Sequence, residues 1–352
     1  MGRQITFASA INEGLHQAMS SDAGVIVYGL GVTDPKAIFG TTSGLQEAFG
    51  EQRVFDMPTA ENAMTGVGIG AALNGIRPVM VHQRLDFFLL AMDQLVNAAA
   101  KWHFMFGGKG GVPITIRLIM GRGWGQGPTH SQNLQAWFAH IPGLKVVMPT
   151  SAEDAKGLLL SSIFDDNPVL FLEHRWLHNV TGEVPKEAYR TPLGQARLVR
   201  QGDACTIVAM SYMTVEAIRA ADFLAGLGVQ CDVLDLRTIR PLDWSAVFGS
   251  VARTGRLLAL DTGHATGSVA GEVVARVSMD YWGALKCAPQ RLAMPDFAEG
   301  TSTALTKGYH PRAEHIVLRV ASMLGMDIDS TALADQRGYP HDVPGDWFNG
   351  PF

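Results

Sequence analysis

Short apolar runs alternate along this chain with longer segments of helical spacing, and this alternation limits the folds open to it. The runs at 23–32 and 169–174 are predicted strands, and their apolar residues are consecutive rather than confined to one face. The segment at 87–102 (FFLLAMDQLVNAAAKW) has the length and spacing of a helix, and another predicted helix starts at a capping box of Thr150 and Glu153. Strands buried on both faces between helices are typical of parallel sheets, so we predict an α/β fold.

The alternation stops in a polar, proline-containing stretch and then resumes, which predicts two domains. A first parallel-sheet domain is predicted at 1–178, a linker at 179–203 and a second parallel-sheet domain at 204–325. The remaining tail, 326–352, has no helical or strand period. We expect the tail to lie on a surface, of this chain or of a partner, because a free tail would expose its aromatic side chains: Tyr339, Trp347, Phe348 and Phe352.

Charge and composition argue against several classes of function. The formal net charge of -5 and the pI near 6.1, with no compensating basic stretch, argue against a nucleic-acid partner. No apolar run reaches the roughly 20 residues that a helix needs to cross a bilayer, so no membrane partner is expected. The cysteines, Cys205, Cys231 and Cys287, are few and scattered, which favours a reducing, cytoplasmic location.

A single carboxylate opens a run of small and apolar residues at 59–75 (TAENAMTGVGIGAALNG). Gly66, Gly68 and Gly70 fall inside a predicted helix, where each glycine costs roughly 1 kcal/mol relative to alanine. We therefore expect another backbone or helix to approach this face, as at a two-subunit site. Glu61 lies in the first turn, where the helix dipole favours a carboxylate. Such a glutamate usually faces solvent; in an apolar pocket it would instead act as the proton partner of a ligand nitrogen.

The second candidate site is the glycine-rich segment at 121–132 (GRGWGQGPTHSQ), which follows a predicted strand. Glycines here let a ligand or another chain approach the backbone closely. The segment ends in His130, Ser131 and Gln132. A lone histidine is more often structural than functional, but ligands of parallel α/β sheets collect at the carboxyl ends of the strands. Both interpretations of His130 stay open on this pattern alone.

Taken in order, these segments resemble the β subunit of thiamine-diphosphate-dependent 2-oxo acid dehydrogenases, which belongs to the transketolase-like superfamily. The matching pieces include AENAMTGVGIGAALNGIRPV, AMDQLVNAAAKW, HSQNLQAWFAHIPGLKVVMPTSAEDAKGLL and GVQCDVLDLRTIRPLD, within about residues 3 to 325. The resemblance implies a pyrimidine-binding domain followed by a transketolase C-terminal domain. It also implies oxidative decarboxylation of a 2-oxo acid, with acyl transfer to lipoamide.

The resemblance implies roles for individual residues. Glu61 would hydrogen-bond N1′ of the aminopyrimidine of thiamine diphosphate and so promote proton loss at C2 of the thiazolium. Phe87 would pack its ring on the aminopyrimidine, although a core position for this side chain is equally open. Gln83 and Leu85 would complete the cofactor-binding set. His130 would assist proton transfer when the acyl group passes to a lipoyl arm.

Metal ions and partners are implied in the same way. A potassium ion would be held, mostly by backbone carbonyls, at Ile114, Ser162, Ile163, Asp165 and Asn167. The superfamily binds Mg²⁺ and diphosphate through a G-D-G motif, and the nearest string here, QGDACT, lacks the second glycine. An α-type subunit is therefore expected to bind the Mg²⁺ in an α2β2 assembly, with a lipoyl-bearing acyltransferase as a further partner.

Two other functions compete with the dehydrogenase interpretation. The chain is alternatively the pyrimidine-binding half of a split transketolase-like enzyme that transfers ketol units between sugars, or a non-catalytic scaffold. The segments LDTGHATGSVAGE and FAEGTSTALTKGYHP depart from the family pattern, and the tail exceeds the usual length. These departures indicate a specialised branch of the family.

Overall fold

The chain folds into two compact units. A computed structural model describes residues 3–123, 125–348 and 350. The first unit comprises the described residues of 3–123 and 129–193 together with Gly350, and the second comprises 125–128 and 194–348. Among the helices of the described residues, none combines the length and the apolar character needed to cross a bilayer.

The first unit is a parallel sheet with helices packed along it. Its strands run in the order β6-β7-β5-β4-β2-β3, and β1 pairs with β8 as a separate antiparallel ribbon. A π-helical segment at Gln94–Ala99 precedes α5. The elements are β1 (Arg3–Thr6), α1 (Phe7–Ser21), β2 (Val25–Gly29), α2 (Leu45–Phe49), β3 (Val54–Asp56), α3 (Glu61–Leu73), β4 (Arg77–His82), α4 (Leu85–Phe88), α5 (Ala100–Met105), β5 (Thr115–Met120), α6 (Gln135–His140), β6 (Lys145–Val147), α7 (Ala152–Ile163), β7 (Val169–His174) and β8 (Thr181–Val184).

The second unit repeats the parallel arrangement on a smaller scale. Its sheet has the order β14-β13-β10-β11-β9, in which β9 is antiparallel to β11 and the other pairs are parallel. Apolar side chains of β10, β11 and β13 form its core with α8 and α11. The elements are β9 (Arg197–Arg200), β10 (Cys205–Ala209), α8 (Tyr212–Gly226), β11 (Cys231–Asp235), β12 (Thr238–Arg240), α9 (Trp244–Thr254), β13 (Leu257–His264), α10 (Val269–Asp280), β14 (Gln290–Met294), α11 (Ala313–Leu324) and α12 (Thr331–Asp335). The predicted α/β fold with two parallel-sheet domains is confirmed.

Two local predictions are wrong in detail. The N-cap of α7 is Ser151, whose Oγ accepts from the backbone N of Asp154 at 3.0 Å, so the cap lies one residue after the predicted Thr150. The segment at 87–102 is not one helix, because a 3₁₀ turn and the π-helical segment interrupt it between α4 and α5. Apolar spacing does not distinguish these hydrogen-bond patterns, and π segments are frequent near functional sites.

The predicted linker at 179–203 contains two ordered strands. β8 pairs with β1 in the first unit and β9 pairs with β11 in the second. Both are largely exposed strands, so they lack the apolar pattern by which the other strands are recognised. After β8 the chain is fixed by the buried Lys156, whose Nζ donates to the carbonyl oxygens of Pro185 at 2.7 Å and Glu187 at 2.8 Å.

The tail up to residue 348 belongs to the second unit of its own chain. The Nη1 of Arg219 donates to the hydroxyl of Tyr339 at 3.0 Å, and its guanidinium carbon lies 4.9 Å from the ring centroid of Trp347. Phe352, the last of the tail's predicted surface aromatics, lies outside the described residues. These contacts give two of the tail's aromatic rings a covered position without a partner chain.

The glycines of α3 have different surroundings. A Cβ at Gly68 would lie 2.1 Å from the hydroxyl oxygen of Tyr28 and 3.0 Å from Cδ1 of Ile114. Tyr28 is buried, and its hydroxyl donates to the carbonyl oxygen of Met64 at 3.1 Å. A Cβ at Gly70 would meet nothing within 4 Å. The close approach at Gly68 is therefore made by a side chain of the same chain, whereas the surface at Gly70 is open.

We expect alanine at these two positions to shift the free energy of unfolding in opposite directions. Gly68→Ala displaces the Tyr28 ring, and overpacking of this kind costs about 1–3 kcal/mol. Gly70→Ala gains up to about 1 kcal/mol of helix propensity and meets no obstacle. Urea unfolding of the isolated chain measures both values. A Gly68→Ala variant as stable as Gly70→Ala would show that α3 moves away from Tyr28 at no cost.

Candidate active site

The carboxyl ends of β2, β4, β5 and β7 meet at one edge of the first unit's sheet. Because α3 connects β3 to β4, its first turn lies at the same edge. Thr65 Oγ lies 3.4 Å from the sulfur of Met80 on β4, which fixes the level of the helix against the strand. Glu61 is one helical turn nearer the edge than Thr65, and His82 is two residues nearer than Met80 on the same strand face. Glu61 and His82 therefore lie at the same level.

Glu61 is held in a buried position at the start of α3. Its residue is 6 % exposed, and its backbone carbonyl accepts from Thr65 Oγ at 2.8 Å. In the described part of the chain no hydrogen bond ends on its carboxylate. A carboxylate in a mostly buried residue is stabilised by a hydrogen-bond donor. The position therefore favours a ligand that brings a donor to this carboxylate, as a protonated ring nitrogen does.

Phe87 and His130 are brought together, as a shared site requires. Their rings meet edge to face, with centroids 5.3 Å apart and planes at 86°. Nε2 of Gln132 donates to the carboxylate of Asp86 at 2.7 Å, so the two segments are joined by a hydrogen bond as well. Oγ of Thr129 lies 3.0 Å from Nδ1 of His130. His130 is half-buried, which leaves its ring within reach of a ligand.

Gln83 and Leu85 occupy different environments. Gln83 lines a cavity of about 360 Å³ beside the carboxyl ends of β2 and β4. Leu85 opens α4 and is fully buried. Gln83 therefore faces space that a ligand can enter, whereas Leu85 lies in the core behind it.

Two family models match the chain. One, described as the pyrimidine-binding domain of transketolase, matches residues 3–180, and the other, the transketolase C-terminal domain, matches residues 194–316. The β subunit of an acetoin:2,6-dichlorophenolindophenol oxidoreductase from Cupriavidus necator is 39% identical over 90% of this chain and 96% of its own length. The β subunit of the pyruvate dehydrogenase E1 component from Rickettsia conorii is 40% identical over 79% of this chain and 86% of its own. The chain belongs to this family of dehydrogenase β subunits.

The relatives favour the dehydrogenase prediction over the split transketolase. A solved structure titled as a split-gene transketolase in an inactive β4 tetramer superimposes with a TM-score of 0.74, covering 92% of this chain and 100% of that one. Its sequence is only 21% identical, so this likeness concerns the fold alone. The β-subunit family, rather than the transketolase, therefore carries the functional argument.

The potassium ligands implied by the family lie near one another in the first unit: Ile114, Ser162, Ile163, Asp165 and Asn167. The carbonyl oxygen of Ile114 accepts from the backbone N of Val169, just past the loop that follows α7, at 3.0 Å. Arg77 Nη1 donates to the carbonyl oxygens of Ile163 at 3.3 Å and Asp165 at 3.0 Å. No group of three or more His, Cys, Asp or Glu side chains suited to a metal occurs among the described residues. Potassium binding at the carbonyls stays a prediction.

Sequence reasoning missed a buried ionic network that supports the site. Nε and Nη2 of Arg117 on β5 donate to the carboxylate of Glu173 on β7 at 2.6 and 3.0 Å, and both side chains are fully buried. Burial opposes ionisation, yet the Arg117 charge holds the pKa of Glu173 below its usual value. Burial also lowers the pKa of the neighbouring His178 to about 4. The sequence did carry a signal for this ion pair, because Arg117 and Glu173 are charged residues within the mainly apolar strand segments VPITIRLIM and VLFLEH.

His82 is a second buried histidine that the sequence analysis did not single out. Its residue is 0 % exposed, and both ring nitrogens lack a hydrogen-bond partner among the described residues. The ring packs against the Phe88 ring, with centroids 5.0 Å apart. Burial lowers the pKa of His82 to about 3, so the folded protein keeps this ring neutral at neutral pH.

We expect His82→Phe to weaken the acid sensitivity of the fold. Because the pKa falls from 6.5 in the unfolded chain to about 3 in the folded one, the unfolded state binds the extra proton between these values. Stability is therefore lost as pH falls below 6.5, by about 1.4 kcal/mol per pH unit. Between pH 7 and pH 5 the free energy of unfolding should therefore fall by about 2 kcal/mol less in the variant than in the wild type. Urea unfolding at both pH values, with the exposed His103→Phe as control, tests this, and parallel losses in all three proteins would contradict it.

Proposed function

We propose that this chain acts with an α-type subunit, in an α2β2 assembly, as a thiamine-diphosphate-dependent dehydrogenase that decarboxylates a 2-oxo acid oxidatively. A lipoyl-bearing acyltransferase would accept the acyl group, and a cytoplasmic location accords with the three free cysteines. The observation that carries the proposal is that Glu61 is a mostly buried residue whose carboxylate no hydrogen bond of the described residues occupies.

The chain's own residues divide the work in this proposal. Glu61 holds the proton or hydrogen bond of a ring nitrogen in a site that excludes water, where such contacts are strongest. Phe87 offers an aromatic surface for a planar ring, and His130, whose ring meets it at 5.3 Å, moves a proton at the open side. When bound, thiamine diphosphate supplies the carbon nucleophile for the substrate carbonyl.

The substrate class has a second candidate. Relatives from Cupriavidus necator and Bacillus subtilis are named for acetoin, and others are named for pyruvate dehydrogenase. Both names describe small molecules with a carbonyl beside the bond that breaks. An acetoin-type hydroxyketone is therefore the alternative to a 2-oxo acid.

The partner is proposed to complete the cofactor site. The sequence lacks the G-D-G motif that holds Mg²⁺ and diphosphate in this superfamily. Glu61, Phe87 and Gln83 fit the pyrimidine end alone. The α-type subunit would therefore bind the Mg²⁺ and the diphosphate.

Reconstitution tests the proposed function. The chain is co-expressed with the α-type subunit, and reduction of an artificial electron acceptor is followed with pyruvate, branched 2-oxo acids and acetoin. Turnover of a 2-oxo acid supports the proposal, turnover of acetoin alone selects the alternative, and no turnover of any of them contradicts both. Calorimetry on the chain alone should show little binding of thiamine diphosphate. Tight, Mg²⁺-dependent binding by the single chain would contradict the division of the site between two subunits.

A further inference from the structure

Two arginine side chains are buried at the sheet edge that carries the candidate site. Arg84 follows β4 and Arg175 follows β7, and these strands flank β5. The residues are 4 % and 3 % exposed. Arg84 Nη1 donates to the carbonyl oxygen of Gly121, directly after β5, at 3.3 Å, and Arg175 Nη2 donates to that of Gly350 at 3.1 Å. The strand order thus places two guanidinium groups at one end of one sheet.

The charge of Arg84 acts on the guanidinium group of Arg175. Burial lowers the pKa of each to about 10, and the charge of Arg84 lowers that of Arg175 further. The Asp86 carboxylate acts in the opposite direction on Arg84. Both arginines stay protonated at neutral pH, so two positive charges lie at this end of the sheet. Because charges interact strongly away from water, an anion that comes close is attracted by both.

A strained turn holds an aromatic ring against Arg175. Ala37, Ile38 and Phe39 have φ values of 44°, 45° and 59°, in the left-handed region. Such a backbone costs of order 1–3 kcal/mol for each non-glycine residue and is concentrated at ligand sites. The guanidinium carbon of Arg175 lies 4.2 Å from the centroid of the Phe39 ring. The fold thus keeps Phe39 on this arginine at a cost, which indicates a functional constraint.

A cavity of about 360 Å³ lies beside a neighbour of each arginine. Phe39, which covers Arg175, and Gln83, which precedes Arg84, both line it. Lys36 and Asp34 line it as well and carry opposite charges. The volume lies within the ordinary range for sites of small molecules.

We propose that Arg84 and Arg175 form an anion-recognition subsite for a carboxylate or phosphate on the substrate, at the end away from the reacting carbonyl. The proposal rests on the proposed function and names its substrate class, an anionic one. The planar fork of arginine suits both anions. Arg84 is the N-cap of α4, three residues before Phe87, whose ring meets His130. Arg84 and Phe87 are therefore one helical turn apart.

Ligand binding to the full chain tests the subsite without any turnover. Thermal unfolding is followed with glutarate, inorganic phosphate and, as the neutral control, glutaramide. One or both anions should raise the unfolding temperature in a concentration-dependent way, and glutaramide should not. If only glutarate stabilises the chain, the substrate carries a second carboxylate. If only phosphate does, the substrate is phosphorylated. No effect of either anion, or an equal effect of glutaramide, overturns the proposal.

Variants locate the anion. Arg84→Gln and Arg175→Gln should each raise the apparent Kd for the anion about tenfold to hundredfold, which is the usual loss of affinity when a charged hydrogen bond is removed. Arg190→Gln removes the same charge from an exposed position of the same unit and should change nothing. If a glutamine variant fails to fold, Arg84→Lys or Arg175→Lys replaces it. These variants keep the positive charge but lose the planar fork of arginine, so they should bind the anion more weakly than the wild type. Unchanged binding in the variants of Arg84 and Arg175, or equal weakening in Arg190→Gln, contradicts the assignment.

Kinetics separate this inference from the proposed function. With the α-type subunit present, kcat/KM is compared for a 2-oxo acid that carries the stabilising anion and one of equal length that is neutral at that end. The wild type should prefer the anionic substrate, and the preference should fall at least tenfold in Arg175→Gln. If the wild type has equal kcat/KM values for the anionic and the neutral substrate, the proposed subsite is contradicted and the proposed function is not. Absence of any turnover contradicts the proposed function, while the binding result stands by itself.

Discussion

Replacing Glu61 with glutamine is expected to lower turnover by at least ~10²-fold, measured with the α-type subunit and an artificial electron acceptor. Glutamine keeps the shape of the side chain but neither holds nor passes a proton at a ligand nitrogen. Glu61 is 6 % exposed in the first turn of α3, and no hydrogen bond of the described residues occupies its carboxylate. The group is therefore available to a ligand, and its proton chemistry is what the substitution removes.

The fold should survive this substitution. Glutamine matches glutamate in size and shape, so the unfolding temperature of Glu61→Gln is expected to lie close to that of the wild type. Glu47→Gln is a matched control, because Glu47 also lies in the first turn of a helix, α2, but is exposed. Near wild-type turnover in Glu61→Gln, with the α-type subunit bound, would remove this residue from the reaction.

The sheets could be predicted because their signal is local. The run at 169–174 forms β7 and begins with four consecutive apolar residues, and such a segment is stable only when both of its faces are covered. Features that depend on hydrogen-bond geometry were harder to predict from the sequence. Ser151 caps α7 instead of its neighbour Thr150, since either hydroxyl satisfies the same pattern. The exposed strands β8 and β9 carry no apolar signal and were predicted as a linker.

The residues of the candidate site also fall into those that the sequence singled out and those that it did not. Glu61 and His130 stand out in the sequence because each interrupts a distinctive run, and the family resemblance supplies their roles. Arg84 and Arg175 stand 91 positions apart by their residue numbers and come to one place only through the strand order β7-β5-β4. Strand order depends on how whole helices pack, which no short segment encodes. His82 was missed for a related reason, since its burial follows from α3 and Phe88 covering one strand face.

Replacing His130 with alanine is expected to separate two assays that depend on the same assembly. Decarboxylation coupled to an artificial acceptor should stay within a few-fold of the wild type, whereas lipoamide-coupled turnover should fall by about 10²-fold or more, the range for loss of a general acid or base. His130 is half-buried beside the Phe87 ring, and its Nδ1 lies 3.0 Å from Thr129 Oγ. An incoming arm can reach this ring, while Glu61 serves the buried end of the site.

The control for this variant is His103→Ala, which removes an exposed histidine from α5. It should leave both assays unchanged, because nothing places His103 near Phe87 or Glu61. Equal losses in both assays of His130→Ala would contradict a role at acyl handover and would place the histidine at the step that the two assays share.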